Sequence, residues 1–291
     1  MIKNMECVKV EYNIDTKLRD ERLEVLSRIM QNERAGGESF FKDVENDPPS
    51  RMIMPNEVDY LATKFSTKVK RFIAGLIAKK FEKQVVKDFN ITVIGAENLK
   101  GISGGAIITS NHFSIYENVA VHQAVKKMEG NKGFYKVVRE GNYFMPGMIG
   151  FLLKYERTLP LSSNVRTMMN LSKAIETLLA KGNKILVYPE EAMWWNYKKP
   201  RPYRIGAFKF AAANNVPVVP LFVSMTDKEE VGIDGFNKKN YTVRIMPAIY
   251  PDANLTVKEN AKIMMDKNYQ ASKNMYERMY GEKLTYLCEN A

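Results

Sequence analysis

The stretch Gly105-Ala-Ile-Ile-Thr109, running directly into Ser110-Asn-His-Phe-Ser-Ile-Tyr-Glu117, sets the reading of the whole chain. A short apolar run followed by a polar turn and a helical pattern over 116–128 predicts a buried strand, a loop and a helix. The same texture recurs on either side. Ile91–Ile94, Lys136–Val138, Ile185–Tyr188, Val218–Val223 and Tyr241–Met246 read as further strands, and 165–181 and 205–214 as helices between them. Strand and helix in alternation predict an α/β fold: a mixed, largely parallel sheet flanked by helices, with an N-terminal helical extension.

The rest of the chain divides around this core. Residues 1–55 form the N-terminal extension, with a polar helix over 14–33, a turn at Gly36-Gly37 and an exposed connection through Asp47, Pro48 and Pro49. Residues 56–89 read as one helix from Asn56, its cap, to Val86. Leu61, Phe65, Val69, Phe72, Ile73, Leu76, Ile77, Phe81 and Val85 recur there at helical spacing, and Lys64, Lys68, Lys70, Arg71, Lys79, Lys80 and Lys83 make the other face. Such a helix either lies in a lipid headgroup layer or packs its apolar stripe on the protein. The core spans 90–255 and a C-terminal helical segment 256–291. No internal repeat or low-complexity tract is present.

Composition narrows the function. At 291 residues and 45% hydrophobic, the chain can bury a full core. Its 44 basic against 33 acidic residues, a net of +11, favour an anionic partner: nucleic acid, a lipid surface or a phosphorylated co-substrate. Basic and aromatic residues do not cluster as a nucleic-acid module, so nucleic acid is not expected. Two cysteines, Cys7 and Cys288, exclude a disulfide framework and fit a reducing compartment. The start has no apolar core or cleavage site, so no secretory signal is expected. The richest apolar stretch, Tyr143–Leu153, is interrupted by Pro146 and Gly147 and falls short of the ~20 residues of a spanning helix.

Only two histidines occur, and His122, inside a helical pattern, reads as structural or surface. His112 follows a strand end, where ligands and catalytic groups gather in α/β sheets. Glu117 lies five positions on. Within one helix the two side chains would diverge by roughly 140°. They can meet if His112 sits in the turn and Glu117 in the first helical turn, with Ser114 as N-cap and the carboxylate at the positive end of the dipole. Glu117 would then fix the imidazole tautomer and leave the other nitrogen as a base. A second strand ends in Tyr188-Pro189-Glu190-Glu-Ala-Met-Trp-Trp195, and a small-residue helix, Gly206-Ala-Phe-Lys209-Phe-Ala-Ala-Ala213, leads into Val216-Pro-Val-Val-Pro220.

Asn-His-x4-Glu, Tyr-Pro-Glu, Gly-Ala-x-Lys-x-Ala and Val-Pro-Val-Val-Pro, in this order over residues 90 to 225, resemble the lysophospholipid and glycerolipid acyltransferase family, which includes the 1-acylglycerol-3-phosphate acyltransferases. The resemblance implies that His112 takes the proton of an acceptor hydroxyl as it attacks the thioester of acyl-CoA or acyl carrier protein, with Glu117 steadying the imidazolium. It also implies Asn111, Ser114, Arg157, Tyr188, Pro189, Glu190 and Lys209 as substrate-binding residues. No metal or cofactor is implied beyond the thioester co-substrate. The expected partners are a lipid acceptor, the acyl donor and an anionic membrane surface, at the cytoplasmic inner face.

Two motifs depart from the family pattern. Where a phosphate-binding arginine is usual, Thr158-Leu-Pro-Leu-Ser-Ser163 places Ser163; where Pro-Glu-Gly-Thr-Arg is usual, Pro189-Glu-Glu-Ala-Met193 stands. Neither serine nor methionine offers a bidentate fork. Either other cations clamp the phosphate (Arg157, Arg166, Lys198, Lys199, Arg201 or Arg204), or the acceptor has no terminal phosphate. Trp194 and Trp195 would suit a sugar face or acyl chain, or cover the core. Hydrolysis by the same base and a silent membrane-binding homologue are the alternative readings; no Gly-x-Ser-x-Gly elbow is present.

Overall fold

Ala106–Thr109 is fully buried and forms the middle strand of a seven-stranded sheet. The architecture is seen in a computed structural model that describes residues 14–46 and 51–289; Cys7 and the Asp47-Pro48-Pro49 connection lie outside these residues. In chain order the elements are α1 (Thr16–Ala35), α2 (Phe65–Asp88), β1 (Thr92–Ile94), β2 (Ala106–Thr109), α3 (Glu117–Val125), β3 (Phe134–Val138), α4 (Gly147–Tyr155), β4 (Thr158–Pro160), α5 (Val165–Ala180), β5 (Lys184–Val187), α6 (Gly206–Ala213), β6 (Val218–Val231), β7 (Asn237–Ile245) and α7 (Val257–Tyr280).

The strand order is β1-β7-β6-β2-β5-β3-β4, and only β6 and β7 pair antiparallel. Helices cover both faces, so the central strands read as unbroken apolar runs. Neighbouring residues still divide between two cores, as the two-residue repeat of a strand requires. Ile108, Leu186 and Val219 pack with Ala120, Val121 and Ala124 of α3. Ile107, Ile185 and Val218 pack with Leu171, Ile175 and Leu178 of α5, Phe208 and Ala211 of α6, and Met264 of α7. At the entry to β2, a Cβ on Gly105 would sit 2.3 Å from the Leu179 carbonyl oxygen, so this close approach of strand to helix end requires glycine.

A third core joins the N-terminal extension to the C-terminal part of the sheet. Val25 and Ile29 of α1, with Phe40 and Val44, pack on Trp194, Phe222, Tyr276 and Tyr286. Helix α7 is fixed by a capping box between Thr256 and Glu259 and ends at Gly281 with φ of 71°.

Helix α2 corrects the sequence reading. It starts at Phe65, with Lys64 and not Asn56 at the cap position. Asp59 accepts from the main-chain N–H groups of Thr63 (2.9 Å) and Lys64 (2.8 Å), and this side-chain turn ends the upstream segment before the helix begins. Most of its apolar stripe is not packed on the protein. Only Ala74 and Val85 are buried, while Phe65 is 81%, Phe72 69% and Leu76 57% exposed. Helix α4 and strand β4 were not expected as separate elements. Among the described residues, no helix is long and apolar enough to cross a membrane.

Candidate active site

The turn after β2 is built by its own side chains. The Asn111 amide forms two hydrogen bonds with the main chain of Val223 in β6: Nδ2 to the carbonyl at 3.0 Å and N–H to Oδ1 at 2.9 Å. The side chain thus extends the sheet ladder by one step, with its amide nitrogen and oxygen both engaged by the main chain of Val223. Ser114 Oγ accepts from the Tyr116 N–H at 3.1 Å. It therefore shapes the turn, while Tyr116 takes the N-cap position it was expected to hold. Both residues, expected at substrate, are buried supports.

This turn delivers His112 and Glu117 to each other. Glu117 opens α3, is fully buried, and hydrogen-bonds His112 Nδ1 through Oε1. A carboxylate at Nδ1 leaves Nε2 as the second, outward nitrogen, and the His112 side chain keeps 20% of its surface open. The Tyr188 ring lies flat on the imidazole, with centroids 3.9 Å apart and planes 8° from parallel. Burial pushes the Tyr188 phenol well above its ordinary range, and the adjacent Glu117 charge adds to the effect.

Beneath the imidazole sits a buried ion pair. Glu190 Oε2 accepts from the main-chain N–H of His112 at 3.2 Å, and the same carboxylate takes Arg201 Nη2 at 3.0 Å, Nε at 3.2 Å and its main-chain N–H at 3.0 Å. Arg201 also donates to the carbonyls of Phe40 (2.8 Å), His112 (3.4 Å) and Ala192. Burial drives the Glu190 carboxyl up and the Arg201 guanidinium down, each opposed by the other's charge. Glu190 was expected to bind substrate; with every oxygen engaged from within the protein, it holds the histidine turn. Pro189 is buried, and its carbonyl accepts from the Arg204 N–H at 2.8 Å. Arg201 is the residue that sequence reasoning missed in this role, having been counted among free cations.

The other expected cations are dispersed. Arg157 precedes β4, so it lies at the start of the parallel strands, opposite the end that carries His112. That placement removes it from the substrate position expected of it. Arg204 pairs with Glu38 and, at 3.4 Å, with Glu191; Lys199 pairs with Glu33 at 2.6 Å. Arg166, Lys198 and Lys209 are exposed, Lys209 on the outer surface of α6. Ser163 is engaged by an acid: its hydroxyl donates to Glu140 Oε2 at 3.0 Å, and Ser162 Oγ donates to Oε1 at 2.8 Å. Burial alone would raise the Glu140 carboxyl; the donors from Ile53, Ser162 and Ser163 outweigh it and hold it below its usual range. Trp194 is fully buried, its Nε1 donating to the Lys42 carbonyl at 2.9 Å, so it covers the core. His122 is structural, stacked on Phe134 and 3.5 Å from Glu82 of α2.

The chain is similar to known acyltransferases in sequence and in fold. A chloroplastic 1-acyl-sn-glycerol-3-phosphate acyltransferase of Brassica napus is 27% identical over 183 residues, covering 61% of this chain and 48% of that protein. The chain thus matches about half the length of that relative. The crystal structure of the 1-acyl-sn-glycerophosphate acyltransferase PlsC from Thermotoga maritima superposes with a TM-score of 0.52 at 16% identity, over 78% of this chain and 87% of that one, which shows a shared fold. Residues 90–224, which include both strand ends and the His112–Glu117 pair, match the Acyltransferase family. The likeness to the Acyltransferase family is carried by residues 90–224, just under half of the chain.

Proposed function

We propose that this protein is an O-acyltransferase that moves a fatty acyl group from acyl-CoA or acyl carrier protein to a hydroxyl of a lysolipid or related acceptor. The observation that carries the reading is the fully buried Glu117 carboxylate on Nδ1 of a partly open His112. In this mechanism Nε2 takes the hydroxyl proton as the acceptor oxygen attacks the thioester carbon. The tetrahedral adduct then expels the thiolate, which recovers the proton from the imidazolium. Glu117 holds the tautomer and offsets the transient positive charge; such a base contributes about 10² to 10⁴ in rate. The partners needed are the acyl donor and the lipid acceptor, with no further cofactor.

The arrangement favours an acceptor without a terminal phosphate. Arg201, Arg204 and Lys199 are committed to carboxylates, and Ser163 faces Glu140. The exposed Phe65, Phe72 and Leu76 of α2, flanked by exposed Lys68, Lys79, Lys80 and Lys83, support work on an anionic membrane surface, at the cytoplasmic inner face.

The test is to incubate the protein with long-chain acyl-CoA and acyl carrier protein thioesters and a panel of lysophospholipids, glycolipids and diols, reading products by mass spectrometry. A new ester that disappears in His112→Ala is the expected result. Thioester loss without ester formation across the panel would favour hydrolysis, and intact thioester would favour a silent membrane-binding homologue.

A further inference from the structure

The Tyr188 hydroxyl and Glu117 Oε2 are both buried, and neither has a hydrogen-bond partner in standard geometry among the described residues. A buried phenol and a buried carboxylate oxygen left this way would each carry a desolvation cost of the order expected for a lost hydrogen bond, so two orphans side by side call for an explanation. The phenol is close enough to interact with the Glu117 carboxylate. The ring from which this hydroxyl projects is stacked on His112 at 3.9 Å. Tyr188 therefore lies against the imidazole with its ring, while its hydroxyl interacts with the Glu117 carboxylate.

We propose that Tyr188 is a positioning residue whose hydroxyl donates to Glu117 Oε2 while its ring fixes the plane of His112, making a His112–Glu117–Tyr188 chain. This rests on the acyltransferase reading of His112 and replaces the expectation that Tyr188 binds substrate. With Oε1 committed to Nδ1 and Oε2 to the phenol, the carboxylate has one orientation, and its charge stays aimed at the imidazole while the proton is held there. The other titratable groups around the chain are Tyr241 of β7, Tyr116 beside Glu117, and the Glu190–Arg201 pair under His112.

Tyr188→Phe keeps the ring and removes only the hydroxyl, which makes the sign of its effect decisive. If the hydroxyl were idle, its removal would relieve a buried unpaired group and raise Tm. If it donates to Glu117, removal orphans Oε2, and Tm falls by roughly 2–4 °C. The variant should also lower kcat about tenfold or more with the thioester KM within about twofold. The Nδ1–H proton resonance, assigned by its loss in His112→Ala, should shift in Tyr188→Phe. Raised Tm with unchanged kinetics and an unmoved Nδ1–H signal would overturn the proposal. If the wild-type protein transfers no acyl group at all, the acyltransferase reading fails, while Tm and the Nδ1–H signal still decide whether the hydroxyl bonds Glu117.

Discussion

His112 has its ring held by Glu117 and Tyr188, while its main chain is gripped on both sides, N–H by Glu190 and carbonyl by Arg201. The buried Glu190–Arg201 pair exposes 2% and 1% of its side chains, so neither charge can turn to water if the other is lost. Arg201→Leu should therefore cost about 3–5 kcal/mol in denaturant unfolding. The double variant Glu190→Gln/Arg201→Met should recover most of that loss, because it leaves no lone buried charge. A single variant as stable as the wild type would show that the pair is not closed to solvent. Sequence could place His112 and Glu117 because five positions across a strand-to-helix turn brings them together without distant partners. It could not place Arg201, whose partners are Glu190 and Ala192 across a loop and Phe40 far upstream. Asn111 and Ser114 were legible as part of the site; the use of Asn111 on the main chain of Val223 depends on tertiary placement, whereas Ser114 bonds Tyr116 within its own turn.

At the scale of elements, α2 is held to α3 by Glu82, which takes His122 at 3.5 Å and also bonds Lys126 and Gln123. Burial alone would raise this carboxyl; hydrogen bonds from His122 and Lys126 bring it from 4.5 down to about 2. The folded protein thus binds the Glu82 proton less readily than the unfolded chain. Its stabilising contribution is complete above about 4.5 and is lost as pH falls through about 2. The Tm difference between wild type and Glu82→Gln should accordingly be constant above pH 5 and shrink between pH 4 and 2. A difference that stays flat to pH 2 would contradict this clamp. On the outer side of α2, Phe72→Ser with Leu76→Ser should weaken co-sedimentation with vesicles containing anionic lipid at least tenfold, from roughly 1.5–3 kcal/mol for each large apolar side chain. Undiminished binding would remove α2 from the membrane surface.

The strands were legible from short apolar runs, and α5, α6 and α7 from their periodicity. The start of α2 was not, because Leu61 keeps the helical spacing and only the Asp59 turn breaks it. Helix α4, nine residues after Pro146, and β4, three residues long, were too short to give a pattern of their own.

Across the whole molecule, the alternation of strand and helix predicted the layers, and the parallel order then brought two distant strand ends, after β2 and β5, to one place. The N-terminal extension was read from sequence as a polar helix, a Gly-Gly turn and an exposed connection, with no role for them. Its packing explains it: Phe40 accepts from Arg201 and stacks on Trp194 at 5.9 Å, so the extension closes the buried side of the histidine turn. The order of motifs along 90–225 was legible because each motif lies at the end of an element. The dispersal of the candidate phosphate cations was not, since their carboxylate partners (Glu33, Glu38 and Glu190) lie far off in sequence or across a loop.

The central claim is that His112, oriented by Glu117, carries acyl transfer, and single-turnover transfer from an acyl thioester to the best acceptor of the panel tests it most directly. Wild type, Glu117→Gln and His112→Ala should be compared at pH 7.5 with folding checked by Tm. The account predicts that both variants retain donor binding while the transfer rate falls by about 10² or more in each. Transfer at the wild-type rate in folded His112→Ala would contradict it.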